Sequence, residues 1–197
     1  MRSLTLAVLL AFSSLAASAQ VFEAGMTGGY SLIGNSGIGS FDSASAGQND
    51  VKLNDGFRLG FRMTFNNSSL FGHEVGYAYS RTALNDTQGQ TESGTSIHQG
   101  FYDFLLYGTK EGSRVRPFAA GGAQFSNFVY PGYSVSSGGG QTKFGFNYGG
   151  GVKVKLTPMF LIRFDLRNYA SPKPFDLPGA SGWLNQREVS MGFSFTM

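Results

Sequence analysis

The 197-residue chain contains no cysteine, which excludes both a disulfide framework and a lipid anchor on an N-terminal cysteine. Only 14% of its residues are charged, whereas a soluble domain carries about a quarter. After its first residues the chain has no apolar run long enough for a transmembrane helix. The formal net charge is only +3, without a basic run, so we expect no nucleic-acid partner. The shortage of charge indicates that much of the folded surface does not face water.

The N-terminus has the three parts of a secretory signal peptide. Arg2 supplies a positive charge, residues 4–15 are almost wholly apolar, and Ala17-Ser18-Ala19 fits a small-x-small cleavage site. The apolar stretch is too short for a comfortable transmembrane helix. We therefore expect residues 1–19 to be removed as a signal peptide, which leaves one exported domain over residues 20–197.

The last nine residues alternate apolar side chains with small or polar ones up to the final position. A period of two predicts a strand with one apolar and one polar face. With Phe193, Phe195 and Met197 on the apolar face, this segment resembles the closing strand of a bacterial outer-membrane β-barrel. In that family the segment is also the assembly signal and usually ends in Phe, where this chain has Met197.

The same period of two recurs along the chain and predicts eight strands. They cover Val21–Ser31, Gly56–Asn66, Leu70–Ser80, Ile97–Gly108, Arg116–Phe128, Lys143–Leu156, Met159–Tyr169 and Asn185–Met197. The connections alternate between short ones and long polar ones, the long ones spanning 34–55, 81–96, 129–141 and 170–184. Alternating short turns and long loops over an even number of strands predict an all-β, eight-stranded antiparallel up-and-down transmembrane barrel.

The charged faces decide which side of the sheet points inward. In the second strand the apolar side chains from Phe57 to Phe65 share one face, and Arg58 and Arg62 share the other. A soluble barrel of the lipocalin type would turn its apolar face inward around a ligand. Faces that combine charges with many glycines suit a narrow interior better, so we predict apolar side chains outside. The fifth strand, rich in Gly and Ala, has no assignable faces.

Aromatic side chains fall at consistent heights on the apolar faces, which predicts two belts at the two membrane interfaces. The lower belt comprises Phe22, Phe65, Phe71, Phe160 and Phe195, and the upper belt Tyr30, Phe57, Tyr77, Tyr79, Phe144 and Trp183. Such belts favour a membrane barrel over a soluble one.

The polar faces place charges of both signs in one predicted lumen network. Its members are Arg58, Arg62, Glu74, Asp103, Lys153, Lys155, Arg163, Asp165, Arg167 and Glu188, with Glu23 beside them. A turn over Asn67–Ser69 would set Arg62 directly across from Glu74. A turn at Thr157–Met159 would set Lys153 beside Arg163. Such a network either fills the lumen structurally or gates a narrow ion path, for which the excess of bases would favour anions.

The whole pattern, with the strand Arg163-Phe164-Asp165-Leu166-Arg167 and the C-terminal segment, resembles the OmpA/OmpX-type eight-stranded outer-membrane barrels. The resemblance implies a bacterial outer-membrane location and a role in envelope integrity, surface adhesion or very limited permeation. It also implies outer-membrane lipid and lipopolysaccharide, the barrel-assembly machinery and periplasmic chaperones as partners. The outer loops are the candidate surface for a ligand.

Catalysis is the weakest of the three hypotheses. Some barrels of this kind modify lipid A with a His-Ser-Glu constellation, in which histidine activates a serine hydroxyl. Here His98 is followed by Gln99 and Gly100, and the neighbouring Glu92 and Ser96 lie in a serine-rich loop. The glycine clusters lack the Lys-Ser/Thr of a phosphate loop, and no spacing matches a calcium loop. We therefore expect no enzyme activity, cofactor or metal site.

Overall fold

A computed structural model describes residues 21–45 and 48–197, so the expected signal peptide lies outside the described residues. Most of the described chain is strand. Ten strands follow one another: β1 (Val21–Gly34), β2 (Gly37–Gly39), β3 (Val51–Leu53), β4 (Gly56–Asn66), β5 (Phe71–Asp86), β6 (Thr91–Tyr107), β7 (Val115–Val129), β8 (Gly140–Thr157), β9 (Phe160–Pro172) and β10 (Trp183–Thr196).

Eight of these strands close into an antiparallel barrel. Each long strand pairs with its neighbours in sequence, and β1 pairs with β10, with Ala24 opposite Phe195. The seam between the first and last strands is completed by Met197, whose amide donates to the carbonyl oxygen of Phe22 over 2.8 Å. Closure leaves no open edge among the long strands, which a sheet in lipid requires. The predicted eight-stranded barrel is confirmed.

The wall alternates as the sequence predicts. In β4 the side chains of Phe57, Leu59 and Phe61 are exposed, whereas Arg58 and Arg62 on the other face are each 2% exposed. The apolar faces therefore point outward and the charged faces inward. In β7, Arg116 and Phe118 point inward and Val115 outward, which assigns the one strand whose faces the sequence left open.

Two loops differ from the sequence prediction. Strands β5 and β6 extend well beyond Ser80 and Ile97, so only residues 87–90 connect them where a loop over 81–96 was expected. The predicted first loop also holds β2 and β3, and β3 adds to the edge of β5. Both differences lengthen the wall at the end of the barrel that carries residues 87–90, 130–139 and 173–182, which we call the loop end.

The interior has three levels. At the loop end lies a buried apolar cluster, which we call the cap; it consists of Ile38, Val51, Leu53, Leu84, Ile97, Phe128, Phe175 and Leu184. Below it lies a layer of buried charged side chains. A small apolar cluster, Leu105, Tyr107, Phe118 and Ala120, lies toward the opposite end, the turn end, where short turns join the strands.

Within the described residues, helical structure is confined to two three-residue 3-10 segments at Ser43–Ser45 and Val135–Ser137. Across the described ranges, no helix has the length and apolar content that a membrane crossing needs.

Candidate functional site: a buried ionic layer

Four arginines and four carboxylates form the ionic layer in the middle of the barrel. The arginines are Arg58, Arg62, Arg163 and Arg167, and the carboxylates are Glu74, Asp103, Asp165 and Glu188. Their exposure ranges from 0 to 3%. Because four positive charges face four negative ones, the layer is formally neutral. Charges buried this deeply are tolerated only when they are paired and hydrogen-bonded.

Glu74 on β5 is the acceptor that most arginines share. It accepts from Arg62 Nη1 over 3.1 Å, from Arg163 Nη1 over 2.7 Å and from Arg167 Nη2 over 2.7 Å. The hydroxyl of Thr64 donates to its second oxygen over 2.9 Å. One carboxylate therefore joins three cations from two opposite parts of the wall.

Glu188 on β10 performs the same task on the other side. It accepts from Arg58 Nε over 3.1 Å, from Arg62 Nη2 over 2.6 Å and from the hydroxyl of Tyr169 over 2.9 Å. Arg62 thus bridges the two glutamates. Since β4, β5, β9 and β10 all contribute, the layer ties distant strands of the barrel to one another.

The two aspartates complete the layer. Asp165 accepts from Arg163 Nε over 2.8 Å and from Arg163 Nη2 over 2.9 Å, a two-pronged contact that fixes the guanidinium plane. Arg167 Nη1 donates to Asp103 on β6. Each arginine of this group has a carboxylate partner.

The pairing of Arg62 with Glu74 was predicted in the wrong register. Thr64, not Arg62, lies opposite Glu74, and Arg62 lies opposite Gly76. The predicted turn over Asn67–Ser69 is centred on Ser68, whereas the observed pairs are centred on Ser69. This shift of one residue changes every pair by two positions. The long Arg62 side chain spans the diagonal, so the ion pair forms all the same. By contrast, Lys153 does lie opposite Arg163.

Lys153 and Lys155 lie below the ionic layer, toward the turn end. Lys153 donates to Glu23 over 2.5 Å and to the hydroxyl of Tyr107 over 3.0 Å. Lys155 is half-buried, and within the described ranges it forms no ion pair. These two lysines are therefore brought near the turn-end mouth and not into the layer itself.

Aromatic rings that the sequence argument did not place fill the space between the charges. The guanidinium of Arg58 lies 4.6 Å from the ring centroid of Tyr169, and that of Arg62 lies 4.8 Å from that of Phe101. Such stacking satisfies the flat faces of the guanidinium groups. The sequence alternation could have placed Tyr169 in the lumen, because it follows Arg163, Asp165 and Arg167 on the same face of β9.

The family model described as "Outer membrane protein beta-barrel domain" matches residues 4–196 of this sequence. The chain belongs to this family of outer-membrane β-barrels. Comparison with curated protein sequences finds no match.

Solved outer-membrane barrels share the fold. The crystal structure of the outer membrane protein OprG from Pseudomonas aeruginosa is similar with a TM-score of 0.64 and 15% sequence identity, covering 89% of this chain and 95% of OprG. That of Neisserial surface protein A (NspA) has a TM-score of 0.59 and 14% identity, covering 91% of this chain and 98% of NspA. Identities this low show a common barrel architecture and leave the role of this member to its own residues.

In this outer-membrane barrel the predicted belt residues contact one another in pairs on the outer wall. Toward the turn end, the ring centroids of Phe22 and Phe65 are 5.1 Å apart, and those of Phe160 and Phe195 are 5.4 Å apart. Other belt residues contact rings that were not predicted. In the lower belt Phe71 contacts Phe104, and in the upper belt Trp183 contacts Phe146 and Phe144 contacts Phe125.

The remaining upper-belt residues also lie on the outer wall. Phe57 packs edge-on against Tyr79 at 6.2 Å between ring centroids, and Tyr30 lies opposite Phe57 in the neighbouring strand. The hydroxyl of Tyr77 is hydrogen-bonded to His98 Nδ1. The contact between Tyr77 and His98 brings two polar groups together on the mainly apolar outer wall.

His98 is therefore hydrogen-bonded to a tyrosine, and no serine or carboxylate among the described residues hydrogen-bonds to it. Glu92 instead accepts from Asn54 over 3.4 Å. Within residues 21–45 and 48–197, no group of three or more His, Asp or Glu side chains is placed to hold a metal ion.

A polar clasp holds the last loop to the barrel wall. Lys143 on β8 donates to Asp176 Oδ1 over 2.6 Å, and Gln141 donates to the other oxygen of the same carboxylate. The hydrogen bond from Lys143 holds the pKa of Asp176 below its usual range. A lowered pKa means that the charged contact is complete above about pH 4 and is lost only as the pH falls through the lowered value.

We expect Asp176→Asn to loosen residues 173–182 without unfolding the barrel. Asparagine tolerates the left-handed backbone at this position, where φ is 45°. Because Asp176 is exposed, amide exchange in the loop should rise only about two- to fivefold. Hydrogen exchange of the Phe175 amide checks this, with Glu111→Gln at the opposite end as the control. Equal exchange in wild type and variant would contradict the clasp.

Proposed function

We propose that this protein is a non-conducting outer-membrane barrel that strengthens the envelope and presents a fixed loop surface outward. The observation that carries the proposal is the ionic layer across the lumen. Its eight charged side chains are at most 3% exposed, so water barely reaches them. A neutral, paired layer neither offers an ion a hydrated path nor selects for its sign.

The apolar cap supports the same conclusion from the loop end. Ile38, Leu53 and Leu184 are each at most 1% exposed directly above the charges. An ion entering from this side would first have to cross side chains that offer it no hydrogen bond. The barrel is therefore closed at two independent levels.

The cap also fixes the shape of the outer surface. Phe175 packs in the cap and carries its loop with it, its ring centroid lying 4.8 Å from that of Tyr130. Phe41 and Tyr133 stay exposed on the same end. Exposed aromatics on an anchored loop surface are suited to a surface partner, because little conformational entropy is lost on binding.

The proposal includes the route and the surroundings of the protein. Export would use cleavage after Ala19, and assembly would use Phe193, Phe195 and Met197 through the barrel-assembly machinery and its periplasmic chaperones. The outward aromatic and aliphatic wall would contact outer-membrane lipid and lipopolysaccharide. None of these steps requires catalysis by this chain, and the buried charges serve as structure.

Planar-bilayer recording tests the closed lumen. We expect the refolded chain from residue 20 onward to give no discrete current steps, while a large-bore porin refolded in the same way conducts. A heat-dependent shift in gel mobility confirms that the silent sample is folded. Reproducible steps that change in size with Arg62→Gln would instead favour a narrow channel.

A further inference from the structure

A cavity of about 130 Å³ opens at the turn end, below the ionic layer. It is lined in part by Glu111, Ser113, Arg116, Lys153, Lys155 and Thr196. A water molecule occupies about 30 Å³ in the liquid, so the cavity has room for a small polyatomic ion. The turn end of an outer-membrane barrel faces the periplasm.

Two residues of the lining each carry a buried polar atom that has no hydrogen-bond partner among the described residues, Arg116 Nε and Thr196 Oγ1. The Arg116 side chain is nevertheless held in place. Its guanidinium carbon lies 3.5 Å from the ring centroid of Tyr107, and Nη2 donates to the carbonyl oxygen of Ser69 over 2.9 Å. A fixed guanidinium with an unused donor is preorganised for an acceptor, since a buried donor without a partner is costly.

The charge of the cavity points to an anion. Lys153 is neutralised by Glu23 over 2.5 Å. In the described part of the chain, neither Arg116 nor Lys155 forms an ion pair, and the single remaining carboxylate of the lining is Glu111. The mouth therefore keeps a net positive charge, in contrast to the neutral layer above it.

We propose that this cavity is a periplasm-facing site for a phosphate-type oxyanion. A tetrahedral anion offers several acceptor oxygens, which match the guanidinium of Arg116, the ammonium of Lys155 and the hydroxyls of Ser113 and Thr196. The source is either soluble phosphate or a phosphoryl group of the inner leaflet. The opening within the barrel mouth favours soluble phosphate, because a lipid headgroup would have to fold over the rim.

Titration with inorganic phosphate tests the site. The folded barrel in uncharged maltoside micelles is titrated at constant ionic strength, with chloride as the competing anion, and binding is followed by calorimetry. We expect saturable binding that Lys155→Gln weakens about tenfold, the loss of one charge-assisted contact. Thr196→Val should weaken it without any change of charge, and Glu111→Gln should strengthen it.

Lys110→Gln is the matched control, because it removes one positive charge from the same turn at a residue outside the cavity lining. Repeating the titration in phospholipid nanodiscs separates the two sources. An unchanged affinity identifies soluble phosphate, and a phosphate affinity suppressed by the bilayer identifies the headgroup. Binding no tighter than that of chloride, or equal weakening by Lys110→Gln and Lys155→Gln, would overturn the proposal.

Discussion

Replacing Glu74 with glutamine is expected to destabilise the folded barrel by about 3–5 kcal/mol. The change keeps the size of the side chain and removes its negative charge. Arg62, Arg163 and Arg167 all donate to this carboxylate, and each is at most 3% exposed. Without it, the layer would hold four arginines against three carboxylates. The cost is large because water cannot reach the layer to replace the lost partner.

Urea unfolding in lipid vesicles measures this effect. The single tryptophan, Trp183, begins β10 beside Phe146 and reports on the loop end, and the gel-mobility shift reports on the whole barrel. Glu92→Gln is the matched control, since the same chemical change falls on an exposed side chain at the loop end. Unfolding midpoints that agree between Glu74→Gln and Glu92→Gln would contradict a structural role for the layer.

A second substitution separates lost charge balance from lost hydrogen bonds. Adding Arg163→Gln to Glu74→Gln restores equal numbers of positive and negative charges, because one cation leaves with one carboxylate. If the cost comes mainly from unpaired charge, the double variant should be more stable than Glu74→Gln alone. If the cost comes mainly from lost hydrogen bonds, the double variant should be less stable than Glu74→Gln alone.

The barrel and its ionic layer were predictable because successive side chains of a strand point to opposite faces of the sheet. Odd and even positions therefore show which side chains point inward. Once Phe57 and Leu59 point to lipid, Arg58 and Arg62 must point inward, and no knowledge of the partner strands is needed. The register was less accessible. The turn centre lies one residue later than predicted, which changes the pairing by two positions and places Thr64 instead of Arg62 opposite Glu74.

The cap could not be predicted from local pattern. Strands β2 and β3 have three residues each, too few to show a period of two. Val51 and Leu53 become buried only because β3 pairs with the extension of β5, and Phe175 reaches them from a loop more than a hundred residues later. The cavity at the turn end had the same difficulty, because Arg116 lies near the start of β7, whose glycines and alanines hid its faces.

Gly122→Ala is expected to cost about 3 kcal/mol or more and to reduce the yield of folded barrel sharply. Gly122 on β7 lies opposite Asp103 on β6. A Cβ added there would overlap the carbonyl oxygen of Tyr102 and would lie 2.7 Å from Asp103 Oδ1. Neither neighbour can move freely, because one is backbone of a paired strand and the other belongs to the carboxylate that receives Arg167.

The neighbouring glycine provides the control for this prediction. Gly121 lies on the opposite face of the same strand. The heavy atom nearest to a Cβ added there would be the backbone carbonyl oxygen of Asn147, 3.9 Å away. Gly121→Ala should therefore fold as the wild type does, although it adds the same methyl group as Gly122→Ala at the adjacent position. Refolding yield by gel shift and the urea midpoint measure both. Equal yields and midpoints for Gly122→Ala and Gly121→Ala would mean that β6 and β7 can separate at Asp103. The close approach of Gly122 to β6 would then not be what positions the Asp103 carboxylate in the ionic layer.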